Sequence, residues 1–172
     1  MLLKQIAEYA VKEQTGKLPK EVIHHAKRAV VDWYASLLPG SRIAPATLLE
    51  EALADELDHG RARLASGRRA TVRAAALING AASHAVEFDD IWRDAVYHPA
   101  SPVISAALAA AQSQGANGER FLRGVIVGYE VSTRIGDAVM PSHYKFWHTT
   151  GTVGTFGAAA AVATLQIGRA HV

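Results

Sequence analysis

The chain has 172 residues, 49% of them hydrophobic, with no cysteine and with 18 Lys plus Arg against 16 Asp plus Glu. That is enough apolar material for one buried core, and nothing in the composition points to disorder. A formal charge of +2, carried by basic residues that are scattered rather than striped, gives no reason to expect nucleic acid as a partner despite a pI near 9.0. The absence of cysteine excludes disulfides, thiolate nucleophiles and cysteine-held zinc or iron–sulfur clusters within this stretch.

The opening MLLKQIAEYAVKEQ carries Lys4 and Glu8 where a signal peptide needs an unbroken apolar run, so it reads as an amphipathic helix over about residues 2 to 13, and a cytoplasmic setting is expected. Val22, Ala26, Ala29, Trp33 and Leu37 recur at helical spacing between Pro19 and the stop signal Pro39-Gly40. A shorter helix is expected after Pro45, over about residues 46 to 57. Residues 60 to 70, GRARLASGRRA, are basic and weakly patterned, and read as a surface connection holding a turn or one short strand.

From Thr71 an Ala-rich, proline-free run predicts a helix that ends near Phe88. A polar loop, DDIWRDAVYHPAS, leads to a helix over about residues 102 to 114, and GANG then separates it from GERFLRGVIVGYEVSTRIGDAV. In that last segment Phe121, Val125, Tyr129, Ser132 and Ile135 share one stripe. A second polar loop, MPSHYKFWHTTG, opens a small-residue helix from Gly151 to about Gln166. No charged residue lies between Trp147 and Gly168, but Ala, Gly and Thr make a poor bilayer span, so a buried helix is expected and no membrane partner. The fold class expected is all-α: a multi-helix, bundle-like domain with two functional loops. Trp33, Val125, Tyr129 and the glycines of GTVGTFG are expected at core or helix-contact positions.

Glu87, Asp89, Asp90 and Asp94 crowd the end of a predicted helix, where the negative end of its dipole disfavours carboxylates by roughly 0.3 to 1 kcal/mol each, so some role should offset that cost. A solvated acidic loop is the plain alternative. With His84 and His98 these acids could also hold a divalent ion, although the set matches no known ligand spacing and no metal is expected. The second loop brings His143, Lys145 and His148 immediately before Thr149, Thr150, Gly151 and Thr152. Free N–H groups at a helix start, flanked by threonine hydroxyls, suit a carboxylate or phosphate; otherwise Thr150 is an ordinary N-cap. The glycine spacing of GTVGTFG is not that of a dinucleotide or Walker-type loop. Acids, imidazoles and an anion-binding helix start together fit proton chemistry on a small carboxylate.

Three ordered blocks, NGAASHAVEFDDIW, HPASPVISAALAAAQSQGANGERFLRGVIVGYEVSTRIG and PSHYKFWHTTGTVGTFGAAAAVATL, resemble the N-terminal helical domain of the MmgE/PrpD family. The family includes 2-methylcitrate dehydratase, cis-aconitate decarboxylase and iminodisuccinate epimerase. Resemblance therefore implies a lyase-type enzyme without metal or other cofactor, dehydrating, decarboxylating or epimerising a small di- or tricarboxylate, together with a homodimer and a second, mixed α/β domain. The family's acidic motif, commonly D-F-D-D-T, falls on Glu87, Phe88, Asp89, Asp90 and Ile91, departing at the first and last positions. The family's catalytic positions then fall on Glu87, His98 and His148, and substrate contacts are expected from Asp90, Lys145, Thr149, Thr150 and Thr152. Two rivals stand beside this reading. A magnesium-dependent isoprenoid synthase would use Asp89, Asp90 and Asp94, at a spacing wrong by one residue; the other is a non-catalytic helical dimerisation module.

The last residues, IGRAHV, can be encoded by ATCGGAAGAGCACACGTC, which resembles a sequencing-adapter read. The expected domain is therefore residues 1 to 166, incomplete and lacking the family's further basic site residues, with residues 167 to 172 an artefactual tail. Resequencing the locus should show the frame continuing differently after Gln166; a genuine stop after Val172 would refute this.

Overall fold

A computed structural model describes residues 2–166, so the expected tail lies outside the described residues. The described chain forms seven α-helices and one small hairpin: α1 Leu2–Glu13, α2 Lys20–Gly40, α3 Ala46–Ala52, β1 Leu57–Arg63, β2 Arg69–Ala70, α4 Val72–His84, α5 Ala100–Gln114, α6 Gly118–Val139 and α7 Thr149–Gln166. The expected all-α class is thus right in its main feature and misses the hairpin. Among the described residues no helix is long and apolar enough to cross a membrane.

Local signals explain most boundaries. The Thr71 hydroxyl accepts from Ala74 N at the start of α4, and Asn117 accepts from Arg120 N at the start of α6. Gly115, at φ 63, ends α5 in the left-handed region. Helix α5 is buried on nearly every side, which suits its Ala- and Ser-rich sequence; it packs against α4 and also against α6 and α7. Trp33 of α2 is fully buried, and its indole N–H donates to Ser105 Oγ of α5 at 3.2 Å. Val125 is buried and Tyr129 packs against the same core, as expected.

Three sequence expectations need correction. Residues 60 to 70 are more than a surface connection: β1 and β2 pair antiparallel, and Ala62, Leu64 and Ala70 enter the core. Asn79 of α4 fastens the hairpin, donating from Nδ2 to Arg63 O at 2.9 Å and accepting at Oδ1 from Ala65 N at 3.2 Å. Helix α3 is shorter than expected, ending at Ala52 before a 3-10 turn at Ala54–Glu56. Helix α4 likewise stops at His84, four residues short of Phe88, and Glu87 takes a left-handed conformation at φ 56 that turns the chain back.

Past that turn, Asp90 fixes the first loop. Its Oδ1 accepts from Ala100 N at 3.0 Å, at the start of α5, and its Oδ2 accepts from the Tyr129 hydroxyl at 2.9 Å. Farther along, Trp92 and Tyr97 exchange backbone hydrogen bonds, and the Trp92 indole donates to Asp137 Oδ1 at 2.6 Å. Burial pushes the Asp90 carboxyl up to about 6 from an ordinary value of 3.8, against the opposing pull of its two donors.

The glycines of GTVGTFG divide. A Cβ on Gly154 would meet Pro102 Cγ at 2.6 Å, and one on Gly157 would meet Ser132 and Val103 side chains at 2.8 Å. Gly151 has nothing within 4 Å, so the expected contact role fails there. Gly154→Leu and Gly157→Ala should each destabilise the chain by about 1–3 kcal/mol through forced separation of helices, whereas Gly151→Ala should not; chemical denaturation distinguishes them. For Asp90 the folded state binds a proton more tightly than the unfolded state, so its contribution to stability falls as pH rises from about 4 to about 6. Asp90→Asn can still accept from Ala100 N at Oδ1 and donate from Nδ2 to the Tyr129 oxygen in place of the present bond, and it should raise the melting temperature at pH 7.5 more than at pH 4.5; an equal shift at both would refute the assignment. Asp90→Ala should cost about 1–3 kcal/mol by orphaning its two donors.

Candidate active site

The early stop of α4 leaves His84 in its last turn, and the turn at Glu87 returns the chain so that Asp89 lies beneath the imidazole. His84 Nδ1 and Asp89 Oδ2 are 2.9 Å apart. The Asp89 side chain is fully shielded from solvent, while that of His84 is 26% exposed. This hydrogen bond, helped by the Asp89 and Glu87 charges, raises the His84 pKa above its ordinary value despite burial.

His98 enters from the other end of the loop. Its Nδ1 lies 3.5 Å from the same Asp89 oxygen, within ion-pair range but without an aligned hydrogen bond. Its backbone N–H donates to Thr150 Oγ1 at 3.1 Å, which ties the first loop to the first turn of α7. His148, immediately before α7, is exposed, and its ring centroid is 6.0 Å from that of His84; the His84 and His98 rings are 4.9 Å apart. Two imidazoles from separate chain segments thus meet one buried carboxylate, and a third, that of His148, lies beside His84.

The other expected residues are distributed unevenly. Glu87, expected at a catalytic position, is exposed, and its charge is felt by His84. Asp90 has both oxygens engaged by Ala100 and Tyr129. Lys145 is exposed on a 3-10 turn at His143–Lys145. Helix α7 begins at Thr149, two residues before the expected Gly151, which places Thr150 inside the helix. Thr149 is buried with no hydrogen-bond partner for Oγ1 among the described residues, and Thr152 Oγ1 lies 2.7 Å from His143 Nε2. Tyr144, Phe146, Trp147 and Phe88 are large, exposed apolar side chains on the same two loops.

Asp89 and His84 are not among the expected site residues: the sequence places Asp89 in the acidic motif and offers both as ligands for a cation, without pairing them. Their spacing of five residues across a helix end is the one signal that could have paired them. His84, Asp89 and His98 do offer ligand atoms within 4.8 Å of one another, a spacing open to a divalent cation. The hydrogen bond between His84 and Asp89 explains the same approach without one.

The arrangement supplies neutral-range proton donors and acceptors beside a helix N-terminus, which suits transfer of protons to and from a carboxylate-bearing substrate. The chain is 30% identical over 171 residues to a cis-aconitate decarboxylase-like protein of Aspergillus oryzae, an alignment covering 94% of this chain and 36% of that protein. It is 29% identical over 169 residues to the cis-aconitate decarboxylase of Aspergillus terreus, covering 94% and 34%. The human cis-aconitate decarboxylase is 36% identical over 93 residues, covering 51% and 19%. The chain therefore spans about a third of the length of the first two relatives. The model of the MmgE/PrpD N-terminal domain matches residues 4–170, nearly the whole sequence, and the chain belongs to the MmgE/PrpD family.

Proposed function

We propose that this chain supplies the proton-transfer half of a lyase-type active site acting on a small di- or tricarboxylate, in a protein that also carries a second, mixed α/β domain and works as a homodimer. The observation that carries the reading is the meeting of His84 and His98 at buried Asp89, with His148 beside His84 just ahead of α7. The names of the relatives favour decarboxylation. In that reaction the bond to a carboxylate breaks, its electron pair stays on carbon, carbon dioxide leaves, and an imidazolium delivers a proton to that carbon. Dehydration would use the same groups differently: one imidazole takes a carbon-bound proton, the freed pair forms the double bond, and a second imidazolium protonates the departing hydroxyl. Both are proton transfers that His98 and His148 are chemically suited to perform near neutral pH, and neither calls for a metal or organic cofactor.

Glu87 and Asp90 are assigned, through the family motif, to the substrate-facing loop, with Asp90 holding that loop by its two hydrogen bonds. Lys145 contributes positive charge, and Thr149, Thr150 and Thr152 contribute hydroxyls at the start of a helix whose first N–H groups favour a carboxylate. Glu87 and Ile91 differ from the usual motif, so the substrate contacts that members with an unbroken D-F-D-D-T make at these two positions do not carry over unchanged.

The test uses the full-length protein that contains this sequence, assayed with cis-aconitate and 2-methylcitrate. His98→Ala and His148→Ala should each lower turnover by on the order of a hundredfold with the fold retained, the usual scale for losing a positioned acid or base. A strong chelator should leave activity unchanged. Full activity with both histidines replaced would refute the reading, as would loss of activity on chelation that magnesium restores.

A further inference from the structure

Asp89 is the most enclosed ionisable group of the cluster. Its side chain is wholly shielded, its Oδ1 has no hydrogen-bond partner among the described residues, and its Oδ2 faces Nδ1 of two different imidazoles. A buried carboxylate is costly unless donors or positive charge surround it. An imidazole whose Nδ1 carried a lone pair rather than a proton would set that lone pair against the carboxylate at 2.9 Å for His84 and 3.5 Å for His98. Both rings therefore favour the form protonated on Nδ1. A neutral ring protonated there has its lone pair on Nε2, at the opposite side of the ring.

We propose that Asp89 is a positioning residue that selects the Nδ1–H tautomer of His98, and with it Nε2 as the nitrogen that accepts a proton, while holding His84 beside it as a second imidazole on the same carboxylate. The inference rests on His98 being a proton-transfer group, and it adds which nitrogen acts and what determines that choice. When a carbon-bound proton moves to His98 Nε2, the electron pair of the broken bond stays on the substrate and the ring becomes an imidazolium whose Nδ1–H already faces a carboxylate. Asp89 keeps its charge throughout and balances the new one. The titratable groups around this trio are Glu87 and Asp90 on the same loop and His148 ahead of α7; Glu87 adds to the field at His84, and the Asp89 charge acts in turn on Asp90. The arrangement is the general one in which a buried acid sets the tautomer of a catalytic imidazole, here with one acid serving two rings.

Nitrogen-15 NMR of the histidine-labelled full-length protein reads the tautomer directly. His98 should be protonated on Nδ1 in the wild-type protein, and Asp89→Asn should shift it toward the Nε2–H form and lower the His84 pKa. In the full-length protein, Asp89→Asn should reduce kcat by at least about tenfold, with KM changed by less than threefold and the limb of the pH profile that reports the base displaced to lower pH. A purely structural role for Asp89 would move neither the tautomer nor that limb once folding is verified. Finding His98 protonated on Nε2 in the wild-type protein would overturn the proposal, and that measurement decides the matter even if Asp89→Asn fails to fold. Stoichiometric binding of zinc that perturbs His84 and His98 together at micromolar concentration would overturn it in favour of a cation site. If His98→Ala leaves full-length turnover intact while the tautomer is as stated, the functional reading fails and the assignment of Asp89 to the two rings stands.

Discussion

Two neighbouring carboxylates with separate partners hold the first loop in place, and the rest of the site follows from them. Asp90 reaches the first backbone N–H of α5 and the Tyr129 hydroxyl of α6, while Asp89 meets His84 at the end of α4. One dipeptide thereby fastens three helices at a single point. His98 lies eight residues farther on, and its backbone bond to Thr150 extends the same constraint to the start of α7. Remove the anchor and the imidazoles lose their common reference, because they belong to separate segments with no direct covalent reason to meet.

The close approach of those segments rests on small side chains. Val103 of α5, Gly128 and Ser132 of α6 and Gly157 of α7 interlock so tightly that a single added methyl would come within 2.5 Å of Val103 at Gly128. Alanine-rich helices bury little apolar area per residue, so their cohesion depends on near-complete contact rather than on bulky side chains. Trp33 is the exception, a large anchor whose one polar atom is satisfied by Ser105. A rigid frame of this kind is what a site composed of loop residues requires, since proton transfer loses efficiency when groups drift by even an ångström.

Much of this was legible in the sequence where local chemistry decides the outcome. Pro19 precedes α2 and Asn117 opens α6, because caps and breakers act within a turn or two, although α2 runs through Pro39 and ends at Gly40 rather than before the pair. The end of α4 was not legible, since its continuation to Phe88 is locally reasonable and what stops it is the pairing of His84 with Asp89. The hairpin escaped for a related reason: its core contacts come from Ala62, Leu64 and Ala70, too few and too small to give an alternating signal. In the site, His98 and His148 stood out as loop imidazoles beside a helix start. Asp89 and Asp90 are chemically identical in sequence, and only burial and partners distinguish the one that faces the imidazoles from the one that fastens α5.

Between Asp90 and His98 the chain makes a small closed excursion: Ile91 to Asp94 are exposed, and the Trp92–Tyr97 backbone pair shuts its neck. The tip itself is seated: Ala95 is fully buried, packed with Tyr97 and with Val153 of α7 and lying against Gly136 of α6. A change of length would have to keep Ala95 in that seat, because the chain returns to His98 through it. Across related genes this segment should therefore hold its length and vary instead at its exposed side chains, Ile91, Arg93 and Asp94, so that new substrate preference comes from side-chain exchange on a fixed loop.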